Sequence, residues 1–410
     1  MAYQKRNVTR RGFLKGVAAA TAGVMIVPRN VLGGEGVTPP SETFGGALIG
    51  CGGRGGGTFG ELSKDLKVVK LADCDVRFKD RADNNKIYTD FRRVMERKDI
   101  DLIAIATPPH WHALISIAAA EAGKDVLCEK PMTRTIAEGR AVVEAFQRYG
   151  RIFQVGTFGR FGMSRSKDNI LIHKIMRSGL LKNNPGVYFH RGGLKVKEWS
   201  GKTDQPIRPV PANLDWDLYC GPSPLKPYTP TRHGGTHRWY WDYESGGLTD
   251  MGQHLLDPIN WLFGKDDTSP VEVEASAPPA HPEVTGMWGW IKLKYADGFT
   301  MVLESAEWGE PSGMKPRSVK LTDLSEADQK TVLAMPDPEP LRTFAEAVKT
   351  RKLAGGHPEA ACRTVTLLHL SNIAIRTGRR IQYDPVKEQI IGDAEANRLV
   401  NQPMRAPWHL

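Results

Sequence analysis

The segment Gly246-Gly247-Leu248-Thr249-Asp250-Met251-Gly252-Gln253-His254-Leu255-Leu256-Asp257 carries side chains whose types and spacing suit proton chemistry. Asp250, His254 and Asp257 stand at i, i+4 and i+7, on one face of a helix. An imidazole takes or gives a proton near neutral pH, and a carboxylate one turn away orients it or balances its charge. Pro258 follows at once and implies a kink or irregular turn behind them. A metal site is the competing reading, but two carboxylates and one imidazole leave the coordination incomplete, with only His233 and His237 nearby to finish it. Upstream lies Arg238-Trp239-Tyr240-Trp241-Asp242-Tyr243, with Trp216 and Tyr219 before it. Aromatic faces and a guanidinium suit a sugar ring, so Arg238, Tyr240, Tyr243 and His254 are the candidate substrate-binding residues. The same aromatic density also suits a plain core.

A second group sits near the start of the chain. Gly50-x-Gly52-x-x-Gly55 follows the apolar run Ala47-Leu48-Ile49 and opens a helix, and Asp75 comes twenty residues after Gly55. That context is the dinucleotide fingerprint: glycines allow a tight turn and close approach to a pyrophosphate, and the helix N-terminus meets its charge. A carboxylate ending the second strand accepts hydrogen bonds from a ribose, so Asp75 favours NAD over NADP; Arg77 leaves the second open. Two further loops follow apolar strands, Thr107-Pro108-Pro109-His110-Trp111-His112 and Glu129-Lys130-Pro131. Loops beyond the carboxyl ends of parallel strands face the ligand crevice, where Lys130 can hydrogen-bond a reacting hydroxyl and stabilise charge.

The elements that must position these residues change character along the chain. Apolar runs at 47–49, 68–72, 102–106, 125–128 and 152–155 alternate with helical patterns at 58–62, 111–122 and 136–148. The run at 102–106 is uniformly hydrophobic, as a parallel strand covered on both faces should be. These features predict an α/β fold with an N-terminal Rossmann doubly wound parallel sheet over 46–160. Only twelve residues separate Asp75 from Tyr88, so the crossover after the second strand is unusually short. From about 161 to 393 the pattern becomes α+β: helices at 167–178, 250–263, 341–350 and 357–377, and strands at 271–275, 288–295 and 300–305, on an open, largely antiparallel sheet. The tail, 394–410, is expected to pack back through Trp408.

The 410 residues hold 56 Lys+Arg against 46 Asp+Glu, a net charge of +10 that invites a nucleic-acid reading. Six of those bases lie in the first 34 residues, which hold no acid, leaving only +4 on the remainder. No nucleic acid is therefore expected. Thr9-Arg10-Arg11-Gly12-Phe13-Leu14-Lys15, followed by an apolar run from Val17 to Val27, reads as a twin-arginine export signal over 1–34, with a linker over 35–45. Eleven apolar residues are too few to span a bilayer of roughly 30 Å, so a periplasmic protein without a transmembrane span is expected. Cys51, Cys74, Cys128, Cys220 and Cys362 are odd in number and lack Cys-x-x-Cys, which indicates neither a zinc ribbon nor a disulfide framework.

Taken in order, Gly50-x-Gly52-Gly53-Arg54-Gly55, Thr107-Pro108-Pro109-His110-Trp111-His112, Glu129-Lys130-Pro131 and Gly246-Gly247-x-x-Asp250-x-Gly252-x-His254-x-x-Asp257 resemble the Gfo/Idh/MocA family of sugar and cyclitol oxidoreductases, in its exported branch. The resemblance spans roughly 46–385 and implies tightly bound NAD or NADP, a sugar or glycoside substrate and a homodimer or homotetramer. It also implies that Gly50, Gly52, Gly53, Arg54 and Gly55 hold the pyrophosphate and Asp75 the ribose. Thr107, Pro109, Trp111, His112, Glu129 and Lys130 would line the cofactor, and Lys130, Asp250 and His254 would form the catalytic group, with His254 as general base and no metal. Gly156-Thr157-Phe158-Gly159-Arg160 departs from the family pattern by lacking the polar Gln or Asn that relatives often place there, which puts cofactor contacts from that loop in question. An exported enzyme of this kind would carry its cofactor with it and regenerate it in place. The alternative is an NAD-dependent glycosidase of the family 109 kind, working by transient oxidation and elimination; a third reading is a non-catalytic sugar or nucleotide binder.

Overall fold

Residues 43–410 are described by the computed structural model, apart from 80–85, 182–185, 191 and 316–318. The export segment and most of the linker therefore lie outside the described residues. β1 (Thr43–Ile49) begins inside the stretch assigned to the linker, because Gly45 exchanges hydrogen bonds with Asp101 and extends the strand backwards. Then come α1 (Gly55–Ser63), β2 (Lys67–Cys74), β3 (Ile87–Tyr88), α2 (Phe91–Met95) and β4 (Leu102–Ile105). They are followed by α3 (His112–Glu121), β5 (Asp125–Cys128), α4 (Ile136–Tyr149) and β6 (Phe153–Val155).

These six strands form one sheet in the order β3-β2-β1-β4-β5-β6, with parallel pairing at β2–β3, β1–β4, β4–β5 and β5–β6. This is the doubly wound arrangement expected. Every residue of β4, β5 and β6 is buried, which is why they read as unbroken apolar runs. The order reverses between β1 and β4, and the crevice beyond their carboxyl ends is where such sheets take ligands. The short crossover is real: between β2 and β3 the described residues hold only a 3₁₀ turn at Val76–Phe78.

The second half contains α5 (Gly159–Met163), α6 (Lys167–Ser178), β7 (Gly186–His190), α7 (Trp216–Cys220), α8 (Gly246–Leu262), β8 (Glu272–Ser276), β9 (Trp290–Lys294) and β10 (Thr300–Glu304). It ends with α9 (Glu326–Ala334), α10 (Phe344–Thr350), α11 (Pro358–Thr377), β11 (Ile381–Asp384), β12 (Gln389–Ile390) and α12 (Ala394–Asn397). Its sheet runs β12-β11-β8-β9-β10-β7 and is antiparallel except where β7 lies parallel to β10. The three strands that the sequence pattern missed, β7, β11 and β12, lie toward the edges of the sheet, and β11 and β12 are also short.

Two separate apolar cores underlie the two sheets, yet Gly45–Leu410 is one compact unit. α11 ties them together, packing on α4 and β6 on one side and on α8 and β8 on the other. Pro358 at its first turn and Gly378 in the left-handed conformation after its last mark its ends. α8 runs through Pro258 to Leu262 without a break, so the irregular turn expected there is absent: α5 and α11 hold the helix across the missing hydrogen bond. Trp408 returns to the first half, 4.8 Å from the Trp111 ring and beneath the Arg92 guanidinium. Among the described residues no helix is long and apolar enough to cross a membrane.

Candidate active site

The crevice at the end of β1 and β4 opens into a cleft of about 740 Å³. Its floor is the glycine loop. Gly50 has φ +92°, and a Cβ there would come within 2.5 Å of the Ala106 carbonyl carbon, so only glycine permits the turn. A Cβ at Gly55 would strike the Gly50 carbonyl oxygen at 2.4 Å, whereas Gly52 and Gly53 face open space. The first pair closes the turn and the second leaves the backbone accessible to a pyrophosphate. The neighbouring Thr107 hydroxyl also lines the cleft and has no hydrogen-bond partner among the described residues. Exposed backbone, an unpartnered hydroxyl and a carboxylate at the end of β2 fit a dinucleotide.

That carboxylate is Asp75. Its oxygens accept hydrogen bonds from the Cys51 amide at 2.8 Å, the Arg77 amide at 2.9 Å and the Arg77 guanidinium at 2.7 Å. Burial opposes its ionisation, but these donors hold the carboxyl below the usual range. Arg77 and a ribose diol thus compete for the same two oxygens. Glu129, after β5, accepts from Arg54 Nε at 2.7 Å and Thr58 Oγ1 at 2.9 Å, which fastens it to the start of α1. Pro109 and Trp111 line the cleft, and the Trp111 indole donates to the Leu218 and Tyr219 carbonyls. His112 does not reach the cleft surface. It is fully buried, with Nδ1 2.7 Å from the Pro131 carbonyl and Nε2 2.8 Å from the Thr107 carbonyl, so it joins the two cofactor-facing loops instead of touching ligand.

Lys130 projects into the cleft with its Nζ 2.5 Å from Asp250 Oδ1. The same oxygen lies 2.8 Å from Arg238 Nε. Asp250 sits behind the two cations, its side chain 6% exposed, and although burial opposes ionisation, Lys130 and Arg238 lower its pKa. One helical turn later His254 lines the cleft and has no side-chain hydrogen bond among the described residues. Burial, then the Lys130 charge, push its pKa down to about 4, against the opposing pull of Glu129 and Asp250. At neutral pH it is an uncharged imidazole next to an ammonium–carboxylate pair. Such a group accepts a proton, and the ammonium stabilises the oxygen that loses it.

Asp257, the third residue of the helical face, is separated from this group. It is fully buried and takes two 2.7 Å hydrogen bonds from Arg160 and one of 2.8 Å from Thr157. Burial raises its pKa, opposed by Arg160. The loop that lacks the family's amide therefore spends its polar residues on α8. Tyr240 and Tyr243 are corrected as well: both are buried, neither lines the cleft, and they pack with Trp216, Tyr219 and Tyr228 into a core behind its wall. Their hydroxyls meet Thr231 Oγ1 at 2.7 Å and Cys220 Sγ at 3.8 Å. Arg238 alone of the expected aromatic-rich segment reaches the cleft with His254.

Sequence reasoning missed two contributors, Gln253 and Glu244, and named His237 only as a possible metal ligand. Gln253 accepts from the Met132 amide at 2.7 Å and donates to the Ala361 carbonyl at 3.2 Å, pinning the Lys130 loop to α8 and α11. His237 and Glu244 line the cleft beside Arg238. A lone Gln next to His254 and two polar residues in an aromatic stretch carry no periodic signal.

The profile of the Gfo/Idh/MocA oxidoreductase family's NAD-binding Rossmann fold matches residues 44–157, and that of its C-terminal alpha/beta domain matches 167–410. The chain belongs to this oxidoreductase family, and residues 44–157 form its NAD-binding domain. Among curated proteins, the levoglucosan dehydrogenase of Pseudarthrobacter phenanthrenivorans is 34% identical over 177 residues, covering 43% of this chain and 36% of that protein. A glycosyl hydrolase family 109 protein of Shewanella baltica is 28% identical over 233 residues, covering 48% and 49%. The chain spans about a third to a half of the length of these relatives. The WlbA dehydrogenase of Bordetella pertussis, solved with NADH and UDP-GlcNAcA, superposes with a TM-score of 0.52 at 16% identity over 84% of this chain and 99% of that one, a likeness of fold.

Proposed function

We propose that this protein is an NAD-dependent dehydrogenase acting on a hydroxyl of a sugar or glycoside. The observation that carries it is the cluster of Lys130, ion-paired to Asp250, and the uncharged His254, in the cleft that also holds the glycine loop. Bound NAD supplies the hydride acceptor. Lys130 donates a hydrogen bond to the reacting hydroxyl oxygen, and His254 takes the hydroxyl proton as the carbon–oxygen double bond forms. Asp250 holds Lys130 in place and, with Arg238, keeps the local charge balanced. Trp111, Pro109 and the aromatic wall behind them limit water. The signal-like run Thr9–Lys15 supports export of the folded, cofactor-loaded protein to the periplasm.

The test is protein purified without added nucleotide, assayed by mass spectrometry for carried NAD and then against a sugar panel at the nicotinamide absorbance. Lys130→Met and His254→Gln are expected to retain NAD and lose turnover. Protein with neither carried nucleotide nor NAD affinity in calorimetry refutes the proposal. Similarity to the family 109 glycosyl hydrolase supports a second reading, in which transient oxidation enables elimination of a glycoside. Release of a chromogenic aglycone without net NADH distinguishes it.

A further inference from the structure

Glu244 is unlike the other carboxylates of the cleft. Glu129 is fastened by Arg54 and Thr58, Asp75 by Arg77 and Cys51, and Asp250 by Lys130. The Glu244 side chain is 1% exposed, forms part of the cleft wall, and neither of its oxygens accepts a hydrogen bond from a described residue. Two nitrogens are near it, His237 Nε2 at 2.9 Å and Arg238 Nε at 3.8 Å, but neither aims an N–H at a carboxylate oxygen. His237 Nδ1 lies 2.5 Å from the Gly234 carbonyl and donates to it, which fixes the ring with Nε2 toward Glu244. Arg238 Nε lies a full ångström closer to Asp250 than to Glu244.

A carboxylate withdrawn from water with its acceptor sites unfilled is set for donors that arrive from outside. Its place settles which donors. Arg238 touches both Glu244 and Asp250, and Asp250 touches Lys130, so Glu244 belongs to the Lys130 end of the cleft and not to the ribose end at Asp75. A neutral polyol offers two adjacent O–H groups at the separation of two carboxylate oxygens. An acidic sugar brings a further negative charge beside the Asp250 and Glu244 carboxylates.

We infer that Glu244 is a substrate-binding residue that accepts hydrogen bonds from two adjacent hydroxyls of a neutral sugar, next to the hydroxyl held by Lys130 and His254, and that His237 is its positioning residue. This rests on the sugar-dehydrogenase reading. It selects vicinal diols over their deoxy analogues and neutral sugars over uronates.

The experiment compares wild type with Glu244→Gln on the best neutral sugar of the panel, its monodeoxy analogues and the corresponding uronate, alongside NAD calorimetry and thermal unfolding of the substrate-free protein. In wild type, removing one of the two hydroxyls raises KM about tenfold or more. In Glu244→Gln, KM for the full sugar rises by a similar factor, discrimination against those deoxy sugars collapses, and kcat stays within about threefold. NAD affinity is unchanged. Because an unfilled buried charge is removed, the substrate-free variant unfolds at the same temperature as wild type or higher. An unchanged KM with deoxy discrimination intact overturns the assignment, as does a lowered unfolding temperature, which marks a structural ion pair with His237. Wild type that binds NAD but turns over no sugar removes the parent reading and this one together; wild type that turns over sugars while Glu244→Gln matches it removes only this one.

Discussion

Replacing His254 with glutamine is expected to flatten the dependence of stability on acid. The folded protein holds the His254 pKa down to about 4, while the unfolded chain returns it to about 6.5. Between those values the unfolded state binds the extra proton and the native state refuses it. The contribution of the neutral imidazole is therefore complete above the unfolded value and is lost as pH falls toward the folded one. Going from pH 7.5 to 4.5, linkage between these two pKa values amounts to about 2–3 kcal/mol. Guanidinium unfolding of wild type and His254→Gln at both pH values reads this directly. Wild type should lose that much more than the variant, because His110, His112 and His369, whose pKa values are also lowered by burial, titrate in both proteins and cancel. The same cause sets the acid limb of kcat/KM in wild type near pH 4. Equal acid slopes in the two proteins, or a limb near 6.5, would refute the claim that burial and Lys130 keep His254 neutral.

Two glycine substitutions separate folding from binding. Gly50→Ala is expected to cost about 2–4 kcal/mol, since φ +92° and a 2.5 Å clash with Ala106 both oppose it. Gly52→Ala leaves denaturant midpoints unchanged and weakens NAD binding about tenfold or more in calorimetry, because its Cβ points into open space that the pyrophosphate needs. Arg160→Met leaves Asp257 as an unpaired buried charge and should lower unfolding stability by about 3–5 kcal/mol at neutral pH. Tyr243→Phe removes a 3.8 Å contact with Cys220 Sγ and an interaction with Arg232, neither of which lies on the cleft, so kcat/KM in the sugar assay stays within about twofold; a larger loss would return Tyr243 to the substrate.

Much of the fold and part of the site are readable before any coordinates. The buried strands β4 and β5 announce themselves because both faces are covered and the residues are uniformly apolar. The glycine loop is legible because a tight turn and close backbone approach exclude side chains within a few residues of one another. Asp250 and His254 are legible because helical periodicity is local, and Lys130 because it ends a strand. Each of these signals is written within a single element or its cap.

What lay beyond reach depends on partners far apart in the chain. Helical spacing alone puts Asp257 with Asp250 and His254; Arg160, 97 residues away, captures it for the core. Tyr240 and Tyr243 have the chemistry to stack on a sugar, and only the packing of Trp216, Tyr219 and Tyr228 against them shows that they support the wall from behind. His112 sits in a ligand-facing loop yet turns inward to two carbonyls, and Glu244, with no motif around it, joins the cleft wall with neither oxygen accepting a hydrogen bond from a described residue. By itself, then, the sequence determined the two sheets, the dinucleotide loop and the Lys130, Asp250 and His254 trio. Tertiary structure decided which polar and aromatic groups face the ligand, because burial and pairing are set by residues that meet only when the chain has folded.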